Sequence, residues 1–516
     1  MGAGVMSDWT SGYIADISYT YGYYAELNPL RIALGFINAG IRPPNVINAC
    51  ELGFGQGIST NIHAAASQIN WYGTDFNPHQ AAFAQELSSI SGANAKLHDD
   101  AFDEFCQRDD LPEFDYIGLH GIWSWISDEN RAVIVDFIRR KLKVGGVLYI
   151  SYNTQPGWAA MVPMRDLLAE HADLMSAQGA GTLSRIEDAI TFAEQLMAVN
   201  PEYCNANPQI KNRLAKIKQD NKNYIAHEYF NRDWEPMAFA KMARWLEPAK
   251  MDWACSARYA DAIESIQLTN EQQALISNIP NPLFRQSVRD FCENRQFRAD
   301  YWVKGARRLS ALDKDEMLDG LRVIMGVPRK DVQLKIAGRL GSFDLPSNIY
   351  TPLLDALSSY QPVFVSELWQ VAKEHGVGRP ALNSAIAILA SKGVILPAQS
   401  DDDISEVAAK TGRLNRFLMS QSRSTTELSY LASPVTGGGI AVSLFHQFFL
   451  LATLEGGDDA KTLAAFAWRI LASQNKCLLK EGKPVSDESE NLAELERQAG
   501  DFIDTRLPLF RALKII

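Results

Sequence analysis

The sequence predicts an α/β protein: a Rossmann-like, seven-stranded doubly wound sheet, joined by a helical insertion and a mixed C-terminal region. Three observations carry that expectation. Between Val46 and Tyr152, short apolar runs alternate with stretches whose apolar residues recur every three or four positions, the beat of parallel strands joined by crossover helices. The first run leads into "ELGFGQG", Glu51 to Gly57, an acidic residue followed by glycines at alternate positions. The chain is also long, 516 residues with 47% hydrophobic and 22% charged side chains, enough for roughly two to four folded domains.

Val46 to Cys50 is short, apolar and bounded by turn residues, which suits a buried parallel strand with Glu51 at its carboxyl end. "ISTNIHAAASQ" then reads as a helix, "NWYGTD" as a second strand and "PHQAAFAQELSS" as a second helix. Ala95 to His98 supplies a third strand and "FDYIGLHG" a fourth. "DENRAVIVDFIRRKL" is a helix by its spacing, and Gly145 and Gly146 turn the chain into a fifth strand, "GGVLYISY". Ligands of such sheets sit beyond the carboxyl ends of the strands.

Residues 1–158 are therefore expected to hold most of the ligand-binding core. Residues 159–223 show helical patterns without a strand signal and read as an insertion or lid over the cleft. Residues 224–306 complete the core: "WEPMAFAKMARWLEP" as its last helix, "MDWACSA" as a sixth strand and "FRADYWVKG" as a seventh. Residues 307–516 form a C-terminal domain, with a winged-helix-like unit over 360–398. The second helix of that unit offers only Arg379 and Lys392 as bases, so no nucleic-acid contact is expected. "PVTGGGIAV", Pro434 to Val442, has no lysine after its glycines and reads as a turn.

Gly53, Gly55 and Gly57 let a flat polar ligand lie against the main chain at a helix amino end. Two ligand classes use such a loop: dinucleotides, which place a pyrophosphate there, and S-adenosylmethionine, which brings an amino acid end and a sulfonium. Asp75, closing the second strand, suits the ribose hydroxyls of either class. Asp99 and Asp100 follow the third strand, where one carboxylate can take an adenine amine; a solvated acidic loop is the alternative.

Together, ELGFGQG, GTD, HDDAF, FDYIGLHGIWSWI and LKVGGVLYIS, in this order and spacing, resemble the signature set of the seven-stranded S-adenosylmethionine-dependent methyltransferases, over about the first third of the chain. Val144 departs from it, standing where that family usually has proline. "SYNTQPGW", "HEYFNRDWEP" and "YGYYAELNP" are further similar to bacterial methyltransferases with a methyltransferase regulatory domain, the group that includes rickettsial protein lysine methyltransferases. The resemblance implies S-adenosylmethionine as cofactor, held by Glu51, Gly53, Gly55, Gly57 and Asp75, with Asp99, Asp100, Ala101 and His120 completing the site. It implies a lysine-bearing protein as acceptor and leaves room for a homodimer. A small-molecule or sugar O- or N-methyltransferase and a non-catalytic regulatory protein retaining the cofactor fold stand as the alternatives.

Asn153 and Tyr152 follow the fifth strand toward the ligand side, although Asn153, Thr154, Pro156 and Gly157 equally suit a plain turn. Tyr21, Tyr24, Trp123, Trp125 and Trp158 are candidates to line a slot for an alkylammonium, against an ordinary core role for any one of them. His120 is placed to accept a proton from a hydroxyl acceptor or to serve as a structural histidine. His227 and Glu228 read as a buried, hydrogen-bonded structural pair.

The net charge of −11 argues against a protein whose main partner is nucleic acid or anionic membrane. Six scattered cysteines without a CxxC pair, and histidines without close pairing, predict a reducing compartment and no metal site. The absence of a leader pattern and of any long apolar run predicts a cytoplasmic protein without membrane insertion. Cutting the chain after about Gly305 is expected to leave cofactor binding largely intact if the core folds alone.

Overall fold

A computed structural model describes residues 10, 12–14, 17, 20–177, 179–480 and 482–516. The chain enters through α1 (Ile32–Asn38) and then alternates: β1 (Asn48–Leu52), α2 (Ile58–Ala66), β2 (Asn70–Thr74), α3 (Pro78–Ser91), β3 (Lys96–His98), α4 (Phe102–Phe105), β4 (Phe114–Leu119), α5 (Asp128–Lys141) and β5 (Leu142–Asn153). Five helices follow without a strand, α6 (Val162–Leu174), α7 (Thr182–Ala198), α8 (Glu202–Ala206), α9 (Gln209–Ile217) and α10 (Lys222–Tyr229). The sheet then resumes with α11 (Phe239–Leu246), β6 (Met251–Ser256) and β7 (Phe297–Lys304).

These strands form one seven-stranded sheet in the order β3-β2-β1-β4-β5-β7-β6. β7 runs antiparallel to both of its neighbours, whereas β1 to β5 pair in parallel. The order reverses at β1 and β4, so their carboxyl ends open the crevice where such sheets take ligands.

β1 begins and ends two residues later than its apolar run, so Glu51 lies inside the strand, opposite Gly73 of β2. Parallel pairing with β2 and β4 on both sides holds it there. β5 starts at Leu142, earlier than the glycine pair, and Gly145 takes a φ of +84° within it.

Alternation sorts the two faces. Cys50, Ile117, Leu148, Ile150 and Tyr152 pack under α4, α5 and α11, while Ala49, Tyr116, Val147, Tyr149 and Tyr301 pack under α1. The helices from α6 to α10 enclose a separate core around Trp158, Leu168, Ala189 and Leu214.

Beyond β7, a three-stranded antiparallel sheet (322–325, 363–364 and 395–397) lies with the helices Val365–Glu374 and Arg379–Ser391. Arg379 is paired with Asp319 at 2.6 Å, and Lys392 bonds the Lys335 carbonyl, so both bases of this segment are occupied within the chain. The "PVTGGGIAV" stretch belongs to a hairpin of Tyr430–Ser433 and Gly438–Ala441.

The C-terminal residues are not an appendage. Ile58, Ile62, Ala65 and Ala66 of α2 and Leu87 of α3 belong to the same apolar core as Leu414, Leu418, Leu431 and Phe448. Gln399 Nε2 donates to the Ala66 carbonyl at 2.7 Å and Arg413 Nη2 to the Ser91 carbonyl at 2.6 Å. The condition attached to cutting after Gly305, that the core folds alone, is opposed by this shared interior.

Candidate active site

Beyond the carboxyl ends of β1, β2 and β4 lies a pocket of about 340 Å³, within the range of small-molecule sites. Its floor is the glycine loop. Gly53 has a φ of +74°, and a β-carbon there would meet Ile122 Cδ1 at 2.3 Å. Gly55 also lines the pocket. Gly57 does not: it precedes α2 with a φ of +70°, and a β-carbon would meet that of Ala84 at 2.5 Å. Gly57 therefore lets α2 approach α3 and offers no wall to a ligand.

Two acids dominate one end. Glu51 is buried and accepts a hydrogen bond from the Thr60 hydroxyl. Burial pushes its carboxyl up to about 8, against the lowering effect of that hydrogen bond. Asp75 accepts from the Gly55 amide at 2.8 Å and the Asn77 amide at 3.1 Å. Burial raises it to about 7 even so. Asp100 and Ala101 line the neighbouring wall, where Asp100 is paired with Arg108 at 3.0 Å. Asp99 is exposed and lies off the pocket, so only the second of the adjacent acids faces it.

Across the pocket, His120 follows β4. Its ring stacks on Tyr24 with centroids 3.6 Å apart, and Nδ1 is 2.7 Å from the Tyr149 hydroxyl. Burial, with help from Arg258, lowers it to about 3, so the imidazole is neutral. Trp125 lines the same side and donates from Nε1 to the Glu228 carbonyl at 3.3 Å. Glu228, in the last turn of α10, also faces the pocket, as does His227. His227 is turned to the Ile17 carbonyl, 3.0 Å from Nε2. The structural pair expected from sequence is thus divided: one member reaches the chain's amino-terminal segment, the other the pocket.

Four predicted residues lie elsewhere. Tyr152 shares the face of Leu148 and Ile150, because side chains alternate along a strand, and it is fully buried in the core. Trp123 is buried against Trp245, with Nε1 3.4 Å from Met237 Sδ. Tyr21 packs edge-on against Phe83 beside the C-terminal core. Trp158 lies in the insertion core beneath the Arg213 guanidinium, 3.6 Å from its ring centroid. Asn153 stands just behind the pocket wall and donates from Nδ2 to Glu228 Oε1 at 3.2 Å.

Sequence reading missed Tyr13, Phe54, Phe76 and Ile122, all on the lining. Phe54 sits between two of the loop glycines and Phe76 directly follows Asp75, so nearness to the motif residues was the available signal. Tyr13 had none. It meets the pocket through the fold, edge-on to Phe76 at 5.6 Å.

A larger cleft of about 2010 Å³ lies along β6, α11 and the Pro282–Glu293 helix. It is far from the glycine loop, and its buried arginines Arg295 and Arg298 are already paired with Asp261, Asp290 and Asp300. The smaller pocket is the one that gathers the glycine loop and the motif acids.

Residues 221–304 match the family described as predicted methyltransferase regulatory domain. The protein sll1526 of Synechocystis sp. is 39% identical over 512 residues, spanning 98% of this chain and 99% of its own. RP789 of Rickettsia prowazekii is 21% identical over 93% of this chain and 90% of its own. PKMT2 from Rickettsia typhi in complex with AdoHcy superposes over 96% of this chain and 99% of its own, with a TM-score of 0.67 at 16% identity. That likeness carries the fold, and the match to sll1526 carries the kinship. The chain belongs to the family of sll1526, has the fold of PKMT2, and carries a segment that matches the predicted methyltransferase regulatory domain.

Proposed function

We propose that the pocket binds S-adenosylmethionine and that the protein transfers its methyl group to lysine side chains of a protein acceptor. One observation carries the choice of ligand class. Six carboxylates line the pocket (Glu51, Asp75, Asp100, Asp103, Glu129 and Glu228), and among the described residues no lysine or arginine does. A pyrophosphate would find no cationic side chain on that lining and only the loop amides to meet it, whereas a sulfonium and an α-ammonium, by drawing the acids into their charged form, are matched. The bare backbone at Gly53 and the ribose-directed Asp75 fit the rest of the molecule. When bound, S-adenosylmethionine supplies an electrophilic methyl group on a good leaving group.

The protein's part is to bind and to orient. Asp75 receives ribose hydroxyls, Asp100 and Ala101 flank the adenine, and Glu51 faces the amino acid end. Tyr24 and Trp125 present aromatic faces to cationic groups. The lysine reading is supported by the likeness to PKMT2 and by the extent of chain outside the sheet. The helices of 159–223 and the C-terminal residues 307–516 supply surface on which a protein acceptor docks. All six cysteines are free, in keeping with a cytoplasmic setting, and no described helix is long and apolar enough to cross a membrane.

Calorimetry with AdoHcy and with NAD tests the cofactor assignment: heat with the first and none with the second is expected, and the reverse overturns it. Labelled cofactor and a cell lysate test the acceptor. Label is expected on protein lysines, and label confined to small metabolites replaces the lysine reading with the small-molecule one.

A further inference from the structure

We propose that Glu228 is the acceptor-side carboxylate of this site: it holds the ammonium of an amine acceptor against the methyl donor and takes up its proton. The inference rests on the cofactor reading above and adds to it the chemical class of the acceptor group.

Glu228 comes from α10, in the helical insertion that follows β5, yet it lies on the pocket lining. It is steered there from two sides. Trp125 Nε1 holds its main-chain carbonyl at 3.3 Å, and Asn153 Nδ2 holds Oε1 at 3.2 Å. Asn153 is itself pinned, its amide donating to Ser124 Oγ at 2.9 Å and its carbonyl accepting from Met237 at 2.8 Å. Asn153 thus acts as a positioning residue at the end of β5. The second oxygen, Oε2, has no hydrogen-bond donor among the described residues, so one lone-pair face remains for a ligand.

The groups around Glu228 do not neutralise it. Among the described residues Arg213 on α9 is the one cation that acts on it, without an ion pair, and it lies over the Trp158 ring instead. Tyr224 and Tyr229 stand on its own helix, and His227 is turned toward the amino-terminal segment. From that segment Tyr13 lines the pocket together with Glu228 and Asp75, so the two acids flank a common space. Burial raises Glu228 to about 7, with Asn153 and Arg213 acting downward. A carboxylate with that value near neutral pH is matched to proton uptake in a way that an ordinary surface glutamate is not. His120 is unsuited to the task, being neutral and lowered to about 3.

The proton balance is simple. The acceptor ammonium gives one proton to Glu228 Oε2. The freed nitrogen lone pair forms the N–C bond as the C–S bond breaks, and that bond's electron pair stays on sulfur, cancelling its positive charge. The methylated nitrogen leaves as the cation, and Glu228 returns its proton to water. A hydroxyl acceptor would bring no charge for Glu228 to match.

The test uses full-length protein saturated with AdoHcy and Nα-acetyl-lysine N-methylamide as the probe, with its Nε-acetylated form as the uncharged control. Glu228→Gln keeps size and a hydrogen-bonding oxygen for Asn153. Its AdoHcy affinity is expected within about twofold of wild type, while its affinity for the probe drops at least about tenfold. In methyl transfer to the probe, the wild-type rate is expected to level off above about pH 8. The variant is expected to be slower by about a hundredfold at pH 7 and to keep rising toward the amine's own value near ~10.4. Glu228→Asp should restore part of the rate. Equal probe binding by wild type and Glu228→Gln, binding of the acetylated control, or an unchanged pH profile each overturns the proposal. So does wild-type protein that binds AdoHcy but not the probe. If AdoHcy itself does not bind, it is the cofactor reading that fails.

Discussion

The two ends of the pocket are built in different ways. The end we assign to the donor is local: Glu51, Gly53, Gly55 and Asp75 come from two adjacent strand ends and their loops, within 25 residues of one another. The end we assign to the acceptor is assembled from Tyr13 and Tyr24 near the amino terminus, Trp125 after β4, and Glu228 on α10, braced by Asn153 of β5. A cofactor shared across a whole fold class needs one compact cradle, so its chemistry is written in a short motif. An acceptor differs from enzyme to enzyme, and its contacts are drawn from loops and insertions that the fold brings together.

The largest expected effect challenges how local the donor end is. Removing residues 306–516 uncovers Ile58, Ile62 and Leu87 on α2 and α3, each worth about 1.5–3 kcal/mol of burial. A loss on the order of 5 kcal/mol rivals the whole stability of many domains. We expect the truncated chain to be insoluble or to lack AdoHcy binding. A soluble fragment with wild-type affinity would mean that α2 and its glycine loop are independent of the C-terminal region.

The next effect in size separates ligand binding from stability. Glu51 rises from 4.5 to about 8 on burial. Below its unfolded value both states are protonated and no penalty applies; as pH climbs from the unfolded value toward the folded one, the unfolded chain alone sheds the proton, so the penalty accrues across that window and is complete above about 8. Glu51→Gln, which cannot ionise, is therefore expected to match wild-type apo stability at pH 4 and to exceed it by about 4 kcal/mol at pH 8. Its AdoHcy affinity should be lower at both. Thermal melts across that range check the point, and a stability difference that does not vary with pH would show that Glu51 is ionised in the apo fold.

Asp75→Ala has a smaller effect. It removes the acceptor of the Gly55 amide as well as a charged ribose contact, and is expected to weaken AdoHcy binding by about 1.5–3 kcal/mol by calorimetry. Unchanged affinity would move the ribose away from the β2 end.

Smallest of all is Tyr152→Phe. The hydroxyl's contact is a 3.4 Å approach to Asp300, which Arg298 and Trp253 already satisfy. We expect a stability change within about 1 kcal/mol and unaltered methyl transfer. A collapse in turnover would return Tyr152 to the acceptor end.

What the sequence determined by itself was the alternation of the sheet and the glycine loop with its two acids. Strand period, helix period and glycine placement act over a few residues, so ELGFGQG and GTD are legible in print. Tertiary structure decided the rest. The parity of β5 sends Tyr152 into the core and leaves Asn153 beside the pocket wall. The amino-terminal aromatics divide, Tyr24 stacking on His120 while Tyr23 meets Tyr430 of the C-terminal hairpin at 4.9 Å. Glu228 becomes a pocket residue only because α6 to α10 fold back over the strand ends. Which face a side chain presents follows from local geometry, but what stands opposite that face depends on packing between segments hundreds of residues apart, and no local pattern encodes it.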